Sequence, residues 1–248
     1  MEAPRTETPV RAVVIGPSTL SNLAILGNLE TVVGVSDFST GKEVKGLPRV
    51  GGLVDPDLEK VVQLRPDCVL VQGKSPMLEE WCGIWGVEHV EFSTDSVRAW
   101  AGEIEFLQRR FGLPVEPIPL DWPEPVAGEL KALLVVGRDP GVPGGVLAAG
   151  SGSFLSEMLT KAGGVNILAE GKYVNVDPET LVALDPAVIF DLAATPGRDP
   201  LEDWRRAYPG VAAVKAGRTH PLEHPDALLP GPRMGEVATL MAELLRTP

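Results

Sequence analysis

The stretch DPDLEKVVQLRPDCVLV, from Asp55 to Val71, has a counterpart in the second half of the chain, DPETLVALDPAVIFDL, from Asp177 to Leu192. Each stretch reads as an Asp-Pro start, a short amphipathic helix, a turn that contains proline and an apolar β-strand. The same unit at corresponding places in two halves predicts two Rossmann-like α/β lobes of similar build, each with a parallel sheet covered by helices.

A proline-rich stretch separates the two halves. An amphipathic helix is predicted from Thr94 or Ser96 to about Phe111, and five prolines follow between Leu113 and Pro125. Because proline cannot continue a helix, this stretch is the best boundary. We predict an N-terminal lobe over 1–93, a connecting helix and Pro-rich crossing over 94–125, and a C-terminal lobe over 126–248.

Two local expectations concern the first lobe. Ser18 follows the predicted strand at Ala12–Ile15 and is expected to cap a helix that runs through Leu26. Ser75 is expected to cap a second helix that ends at Trp85, with Gly86 as its stop signal. We expect Trp85 to pack in the core.

The composition excludes several classes of partner. The chain is acidic, with a formal net charge of −12 and a pI of about 4.8, which argues against nucleic acid and anionic membranes because phosphate binding needs clustered Lys and Arg. Cys68 and Cys82 match no metal motif and are predicted to be buried free thiols, with a disulfide between them as the less favoured alternative. No apolar run reaches membrane-spanning length. The polar N-terminus does not resemble a signal peptide, so either the protein is cytosolic or a signal has been removed.

In open α/β sheets, ligands bind beyond the carboxyl ends of the strands, and clefts between lobes are common small-molecule sites. This rule selects the loops that follow the predicted strands, each of which also fits an ordinary polar turn. The selected loops are Pro17-Ser18-Thr19, Ser36-Asp37-Phe38, Gly73-Lys74-Ser75, Arg138-Asp139, Ser151-Gly152-Ser153, Ala193-Ala194 and His220 to His224.

The side chains in and near these loops indicate the chemistry of a ligand. Aromatic rings could stack on a large flat molecule, and Lys74 and Arg138 are the best candidate cations for an anionic group. His220 and His224 could serve as polar contacts, with solvated loop histidines as an equal alternative. Pro221 and Pro225 break any helix here, which removes the spacing that a metal site on one helix face would use. We predict a ligand-binding set of Ser18, Asp37, Phe38, Lys74, Arg138, Ser151, Tyr173, Trp204, His220 and His224.

Several segments together resemble a known family. VVGVSDFS followed by LPRVGG, GSGSFLSEMLTKAGGVNIL, VAAVKAGRTHPL and LPGPR before the last helix, with the two stretches quoted first, are similar in order and spacing to the substrate-binding proteins of ABC importers for iron-siderophores, haem and cobalamin. The resemblance implies two α/β lobes joined by one rigid helix, a ligand in the cleft between them, and no catalytic activity. The ligand would be a corrinoid, haem or ferric siderophore, with one of the histidines as a possible axial ligand. No bound metal ion or cofactor is expected.

The resemblance also implies a membrane partner. In the family, one glutamate on each lobe docks on arginines of the permease. By position, Glu79 or Glu80 in the first lobe and Glu179 in the second would take this role. Each lies in the first turns of a predicted helix, where a carboxylate also favours the helix dipole. The implied protein is a monomer, periplasmic or anchored outside the cytoplasmic membrane if a signal was removed.

Two other functions remain open. A cytosolic relative that has lost transport would act as a ligand sensor or an interaction module. A nucleotide-binding enzyme is suggested by the strand–turn–helix–strand at the start of the chain, which ends at Asp37 about 20 residues after Gly16. However, the turn GPSTLS has one glycine where a dinucleotide-binding turn needs three, and Pro17 would hinder close approach of a pyrophosphate.

Overall fold

The repeated unit folds in the same way in both halves of the computed structural model. Asp57 and Asp177 each cap a seven-residue helix, and their carboxylates accept a hydrogen bond from the backbone N–H three residues further on, at 3.1 Å and 2.8 Å. Both helices end at a residue in the left-handed conformation, Arg65 and Asp185, directly before a proline. A buried strand follows each proline, so the predicted α/β repeat is confirmed.

The structure describes residues 10–93, 95–197 and 199–247, which divide into two compact units. Unit 1 takes its described residues from Met1–Thr94 and Arg98–Ile118, and unit 2 takes its own from Asp95–Val97 and Pro119–Pro248. The division into two lobes and a separate connecting segment stays a prediction, and its first position, Thr94, lies outside the described residues.

The sheet of unit 1 has four parallel strands in the order β2-β1-β3-β4. The strands are β1 (Ala12–Ile15), β2 (Val32–Val35), β3 (Cys68–Gln72) and β4 (Glu88–Phe92). The helices are α1 (Pro17–Ile25), α2 (Leu58–Leu64), α3 (Pro76–Trp85) and α4 (Val97–Arg110). Leu20 of α1 and Leu107 of α4 belong to the core on one face of the sheet, while Val61 of α2 and Leu78 of α3 belong to the core on the other.

The two cysteines lie in different cores of unit 1. Cys68 belongs to the core with α1 and α4, and Cys82 to the core with α2 and α3. Both are free and buried, as predicted. Burial raises the pKa of Cys68 to about 12 and that of Cys82 to about 11, so both remain neutral thiols.

Unit 2 has a six-stranded sheet in the order β10-β9-β5-β6-β8, with β7 also paired to β5. The strands are β5 (Leu130–Gly137), β6 (Val146–Ala149), β7 (Gly164–Asn166), β8 (Tyr173–Val176), β9 (Val188–Asp191) and β10 (Thr219–Pro221). The helices are α5 (Phe154–Ala162), α6 (Pro178–Leu184), α7 (Leu201–Ala207), α8 (Ala212–Lys215) and α9 (Met234–Arg246).

The prediction of a purely parallel sheet is wrong for unit 2. Strand β6 runs antiparallel to both β5 and β8. The connection from β5 to β6 contains two prolines and three glycines and forms no helix. A parallel return needs a crossover of a dozen or more residues, usually helical, so this short connection produces a hairpin.

The first helix does not begin as predicted. Gly16 occupies the N-cap and Pro17 is the first helical residue, so Ser18 lies inside the helix and is not its cap. The backbone N–H of Ser18 instead donates to Gln72 Oε1 at 3.0 Å. A glutamine from the neighbouring strand thus performs the role that we expected of a serine.

The expected burial of Trp85 is also wrong, because this side chain is 62% exposed. Trp81, one turn earlier on α3, covers the core and is 8% exposed. Trp85 is the last residue of the helix and stacks on the Trp81 ring, with 6.3 Å between ring centroids. Helical spacing places both tryptophans on one side of α3. It does not show that the last turn of the helix extends beyond the core.

The Pro-rich stretch is extended and obtains hydrogen bonds from neighbouring helices. In unit 1, Gln108 Nε2 donates to the Glu116 carbonyl at 2.8 Å. In unit 2, Arg246 Nη2 donates to the Glu124 carbonyl at 3.0 Å. In the described part of the chain, no helix is both long and apolar enough to cross a membrane.

Helices α1 and α4 meet through buried polar side chains. Thr19 and Asn22 of α1 are fully buried, and Glu103 of α4 is 3% exposed. Trp100 Nε1 donates to Asn22 Oδ1 at 2.9 Å. Burial raises the pKa of Glu103 above its ordinary value, and the neighbouring Thr19 and Asn22 oppose part of that rise.

We predict that Glu103 makes the chain less stable as the pH rises. A raised pKa means that the folded state holds the proton more tightly than the unfolded chain does. The contribution is therefore fully present below the ordinary glutamate pKa and is lost as the pH rises through the raised value. Glu103→Gln should flatten this dependence, so that the variant gains on the wild type towards alkaline pH in urea unfolding measured from pH 4 to pH 9. Glu105→Gln, on the exposed side of the same helix, is the control; parallel pH profiles for wild type and Glu103→Gln would contradict the prediction.

Candidate functional site

The carboxyl ends of β1, β2 and β3 meet at one edge of the unit 1 sheet, because these strands are parallel neighbours. An open depression of about 280 Å³ lies at this edge. Its lining is mainly apolar and comes from the strand ends and the loops that follow them. The lining residues are Ile15, Gly16, Pro17, Ser36, Phe38, Leu53 and Gln72.

Phe38 is presented to solvent on an anchored loop. Its side chain is 71% exposed, and its ring lies so close to Gly52 that a Cβ there would be 3.1 Å from Phe38 Cε2. The Arg49 guanidinium fixes the loop by donating from Nη1 to the carbonyls of Ser36 and Ser39, at 2.8 Å and 2.6 Å. An exposed aromatic ring on a fixed loop is suited to contact an apolar ligand without reordering.

Gln72 closes the space beside the first turn. A Cβ at Gly16 would be 2.3 Å from Gln72 Cβ, so only glycine fits at this position. Ser18 was predicted to touch a ligand, but its side chain is fully buried; the ligand role of Ser18 stays a prediction. Gln72 and Leu53 line the depression and were missed by sequence reasoning, which looked for polar loops and not for the last strand residue or an apolar neighbour.

We predict that Gly16→Ala destabilises unit 1 by about 1–3 kcal/mol, the usual cost of forcing an extra carbon into a packed site. The Gly16 backbone is extended, with φ 163°, so the cost comes from contact with Gln72 and not from the backbone. Gly102→Ala is the control, since Gly102 lies inside α4 and a Cβ there meets no described atom within 4 Å. The control should stabilise by about 1 kcal/mol through helix propensity. Urea unfolding measures both; a neutral Gly16→Ala would contradict the close contact.

Asp37 and Lys74 lie at the same edge as Phe38. Both side chains are exposed, and the Asp37 backbone N–H donates to the Gly51 carbonyl at 3.0 Å. Neither side chain forms an ion pair with another described residue. Their ligand-binding roles stay predictions, and their positions beside the depression are compatible with them.

In unit 2, a buried carboxylate joins three segments at the end of β9. Asp191 Oδ2 accepts from Arg138 Nε at 2.6 Å and from Trp204 Nε1 at 2.8 Å, and Oδ1 accepts from the Ala193 backbone N–H at 3.1 Å. The Arg138 guanidinium carbon lies 5.3 Å from the centre of the Trp204 ring, and Nη2 lies 3.8 Å from Asp203 Oδ2. We call Arg138, Asp191, Asp203 and Trp204 the Asp191 cluster.

Two predicted ligand contacts belong to this cluster. The Arg138 side chain is 6% exposed and Trp204 is 1% exposed. Their polar atoms are directed to Asp191, which the sequence did not identify as a common partner because it lies 53 residues from Arg138. Their ligand roles stay predictions and are not part of the site that we propose below.

The two histidines have different surroundings. His220 lies in β10 beside the Phe190 ring, at 6.3 Å between centroids, and burial, followed by the charge of Arg218, lowers its pKa. His224 accepts from the Asp226 backbone N–H through Nδ1 at 3.1 Å, and its Nε2 lies 3.5 Å from Glu236 Oε2. Over residues 10–93, 95–197 and 199–247, no group of three or more His, Cys, Asp or Glu side chains is arranged to hold a metal ion.

Ser151 and Arg138 lie towards opposite ends of β5. Because β6 is antiparallel, Ser151 follows the end of β6 and lies towards the start of β5, whereas Arg138 follows the end of β5. Tyr173 begins the edge strand β8 opposite Ala149 and is 49% exposed. We expected all of these residues at one edge of the unit 2 sheet because we assumed parallel strands, and this expectation is wrong for Ser151. The ligand roles of Ser151 and Tyr173 stay predictions.

The three candidate docking carboxylates are accessible. Glu79 and Glu80 are exposed on α3, and Glu179 is exposed in the first turn of α6. None of the three forms an ion pair or side-chain hydrogen bond with another described residue. Many other carboxylates of the chain are paired, for example Glu88 with Arg110 at 2.7 Å.

Solved structures share this fold over nearly the whole chain. A periplasmic haem-binding protein from Pseudomonas aeruginosa is 27% identical and aligns with a TM-score of 0.75 over 97% of this chain and 94% of its own. An ABC transporter substrate-binding protein from Listeria monocytogenes is 19% identical, with a TM-score of 0.79 over 97% and 100%. The vitamin B12-binding protein BtuF of Vibrio cholerae is 19% identical, with a TM-score of 0.71 over 95% and 96%. No protein-family model and no curated protein matches the sequence.

These similarities confirm the resemblance that the sequence motifs indicated. The structures similar to this chain are substrate-binding proteins of ABC transporters, with haem, iron and vitamin B12 among their ligands. Their α/β fold is also the fold of this chain, with one parallel and one mixed sheet here.

Proposed function

We propose that this chain, which has the fold of ABC-transporter substrate-binding proteins, captures a corrinoid, haem or ferric-siderophore ligand and delivers it to an ABC permease. The protein would act outside the cytoplasm, as a monomer and without catalysis. The similar structures that bind haem and vitamin B12 support this function over that of a transport-free cytosolic relative.

Phe38 carries the proposal within this chain. A phenylalanine that is 71% exposed gives little to the stability of the fold, because most of its apolar surface remains in water. Arg49 nevertheless anchors the loop on both sides of Phe38, and the ring lies close to Gly52 beside an apolar depression. A ligand that covers this ring would remove its apolar surface from water, and the resulting favourable free energy would contribute to binding. A ligand with a large apolar face would cover the ring best.

The surroundings of Gly16 count against the nucleotide-binding alternative. A dinucleotide-binding turn leaves the first helix N-terminus open to a pyrophosphate. Here the Ser18 N–H already donates to Gln72 Oε1 at 3.0 Å, and Gln72 occupies the space beside Gly16. A pyrophosphate would have to displace a packed side chain.

A thermal-shift and tryptophan-fluorescence screen tests the proposed function. Haemin, cyanocobalamin and ferrichrome represent the three ligand classes, and NAD represents the enzyme alternative. A bound ligand raises the melting temperature by mass action, by about 2.7 kcal/mol of stability at a hundredfold excess over Kd. Stabilisation by one of the first three supports the proposal; stabilisation by NAD alone, or by none of the four, contradicts it.

A further inference from the structure

Helix α3 carries large apolar side chains that the described part of unit 1 leaves uncovered. Ile84 is 72% exposed, Trp85 is 62% exposed and Met77 is 49% exposed. Positions seven apart recur on the same side of a helix, so Met77 and Ile84 lie in line. The stacked pair of Trp81 and Trp85 lies beside them. We call the three exposed side chains, Met77, Ile84 and Trp85, the α3 stripe.

Gly83 lies on the exposed side of the same helix, where it follows Glu79 by four positions and Glu80 by three and is therefore their neighbour. A Cβ at Gly83 would meet no described atom within 4 Å, and its backbone conformation does not require glycine. Glycine inside a helix makes the helix less stable than alanine would. The fold therefore does not explain why glycine occupies this position. A missing side chain beside the two exposed carboxylates allows the backbone of another molecule to approach closely.

The charges around the α3 stripe indicate which partner fits it. Glu79 and Glu80 are exposed on the same helix and have no ion-pair partner in the described part of the chain. The sequence of α3, PMLEEWCGIW, contains no Lys or Arg, and the chain carries a net charge of −12. A second copy would bring like charges together, and an anionic bilayer would repel this face. A protein surface with an apolar recess and a rim of Lys or Arg is complementary in both respects.

We propose that the α3 stripe is an apolar anchor that docks on the permease of the importer, in a recess rimmed by basic residues. This inference rests on the proposed function and deepens it, because it adds a desolvated contact to the docking carboxylates Glu79 and Glu80. Binding energy at protein interfaces is concentrated in a few buried residues, with tryptophan prominent among them, while rim charges mainly affect the association rate. The stripe therefore supplies affinity, and the carboxylates supply orientation and salt dependence.

The test measures binding of the full chain to its ABC importer, the permease with its ATPase, in phosphatidylcholine nanodiscs by biolayer interferometry. The variants are Ile84→Ser with Trp85→Ser, and Gly83→Gln, which adds bulk beside Glu79 and Glu80 but keeps a good helix former. Ile25→Ser is the matched control, because Ile25 is 44% exposed at the end of α1 in the same unit. Circular dichroism and ligand titration accompany each variant. Empty nanodiscs and sedimentation velocity test the membrane and the second copy as occupants.

We expect the double variant to bind the importer at least about tenfold more weakly, the loss typical of removing one anchor residue, and Gly83→Gln to bind more weakly as well. Ligand affinity and the Ile25→Ser control should be unchanged. Wild-type affinity in the double variant overturns this inference alone and leaves the proposed function standing. Stripe-dependent binding to empty nanodiscs, or stripe-dependent dimers, overturns it in favour of a membrane or a second copy. Absence of both ligand and importer binding in the wild type overturns the proposed function together with this inference.

Discussion

Asp191→Ala is expected to destabilise unit 2 by about 3–5 kcal/mol, the cost of leaving one partner of a buried ion pair alone. Asp191 is 1% exposed and accepts hydrogen bonds from Arg138, Trp204 and Ala193. Its removal leaves the Arg138 Nε–H and the Trp204 indole N–H without their acceptor, and only Asp203, 3.8 Å from Arg138 Nη2, still faces the buried guanidinium. Urea unfolding followed by circular dichroism measures the loss.

A double-mutant cycle separates the ion pair from the rest of the cluster. Arg138→Met removes the charge and keeps much of the volume, so Asp191→Ala combined with Arg138→Met should cost less than the sum of the two single changes. Asp139→Ala is the control, because Asp139 is the exposed neighbour of Arg138 and surface changes are usually within about 0.5 kcal/mol. Additive single effects would show that the buried charge is not what Asp191 stabilises.

Phe38→Ala is expected to weaken ligand binding by about tenfold to a hundredfold, since burying a phenylalanine ring is worth about 1.5–3 kcal/mol. Folding stability should change little, because the ring is 71% exposed in the free chain. The variant should therefore lose ligand affinity without losing folding stability. This combination of effects is expected only if the Phe38 ring contacts a ligand and does not pack in the core.

The measurement is a fluorescence titration of wild type and variant with the ligand that gives the largest thermal shift. Val54→Ala is the matched control, an apolar side chain that is 86% exposed in the same unit and does not line the depression. Equal affinities for wild type and Phe38→Ala would remove Phe38 from the site. A loss of stability as large as the loss of affinity would assign the ring to the fold instead.

The sequence predicted the elements of the fold where local signals were strong. Asp57 and Asp177 cap their helices through contacts three residues away, and Pro66 and Pro186 end them. Such signals lie within a few residues of one another. The antiparallel strand β6 was not predicted, because Val146–Ala149 is a short apolar run and strand direction depends on the connection that precedes it.

The candidate site was predictable only in part, for a related reason. The rule for strand ends selected the loop of Phe38, and the structure places that residue beside the depression. It also selected Arg138, whose charge is neutralised by an aspartate 53 residues away, and Ser18, whose side chain is buried. The exposure of a polar residue at a strand end depends on partners that are distant in sequence. The local hydrophobic pattern does not identify those partners.

Hydrogen–deuterium exchange of the full chain, with and without a saturating haem, corrinoid or ferric-siderophore ligand, shows whether a ligand binds at the strand ends of unit 1. Amides that a bound ligand covers or orders exchange more slowly. We expect slower exchange in the loops that follow β1, β2 and β3, around Gly16, Phe38 and Gly73. Unchanged exchange with every ligand class, or slowing confined to segments away from these loops, would contradict a ligand site at this edge of the sheet.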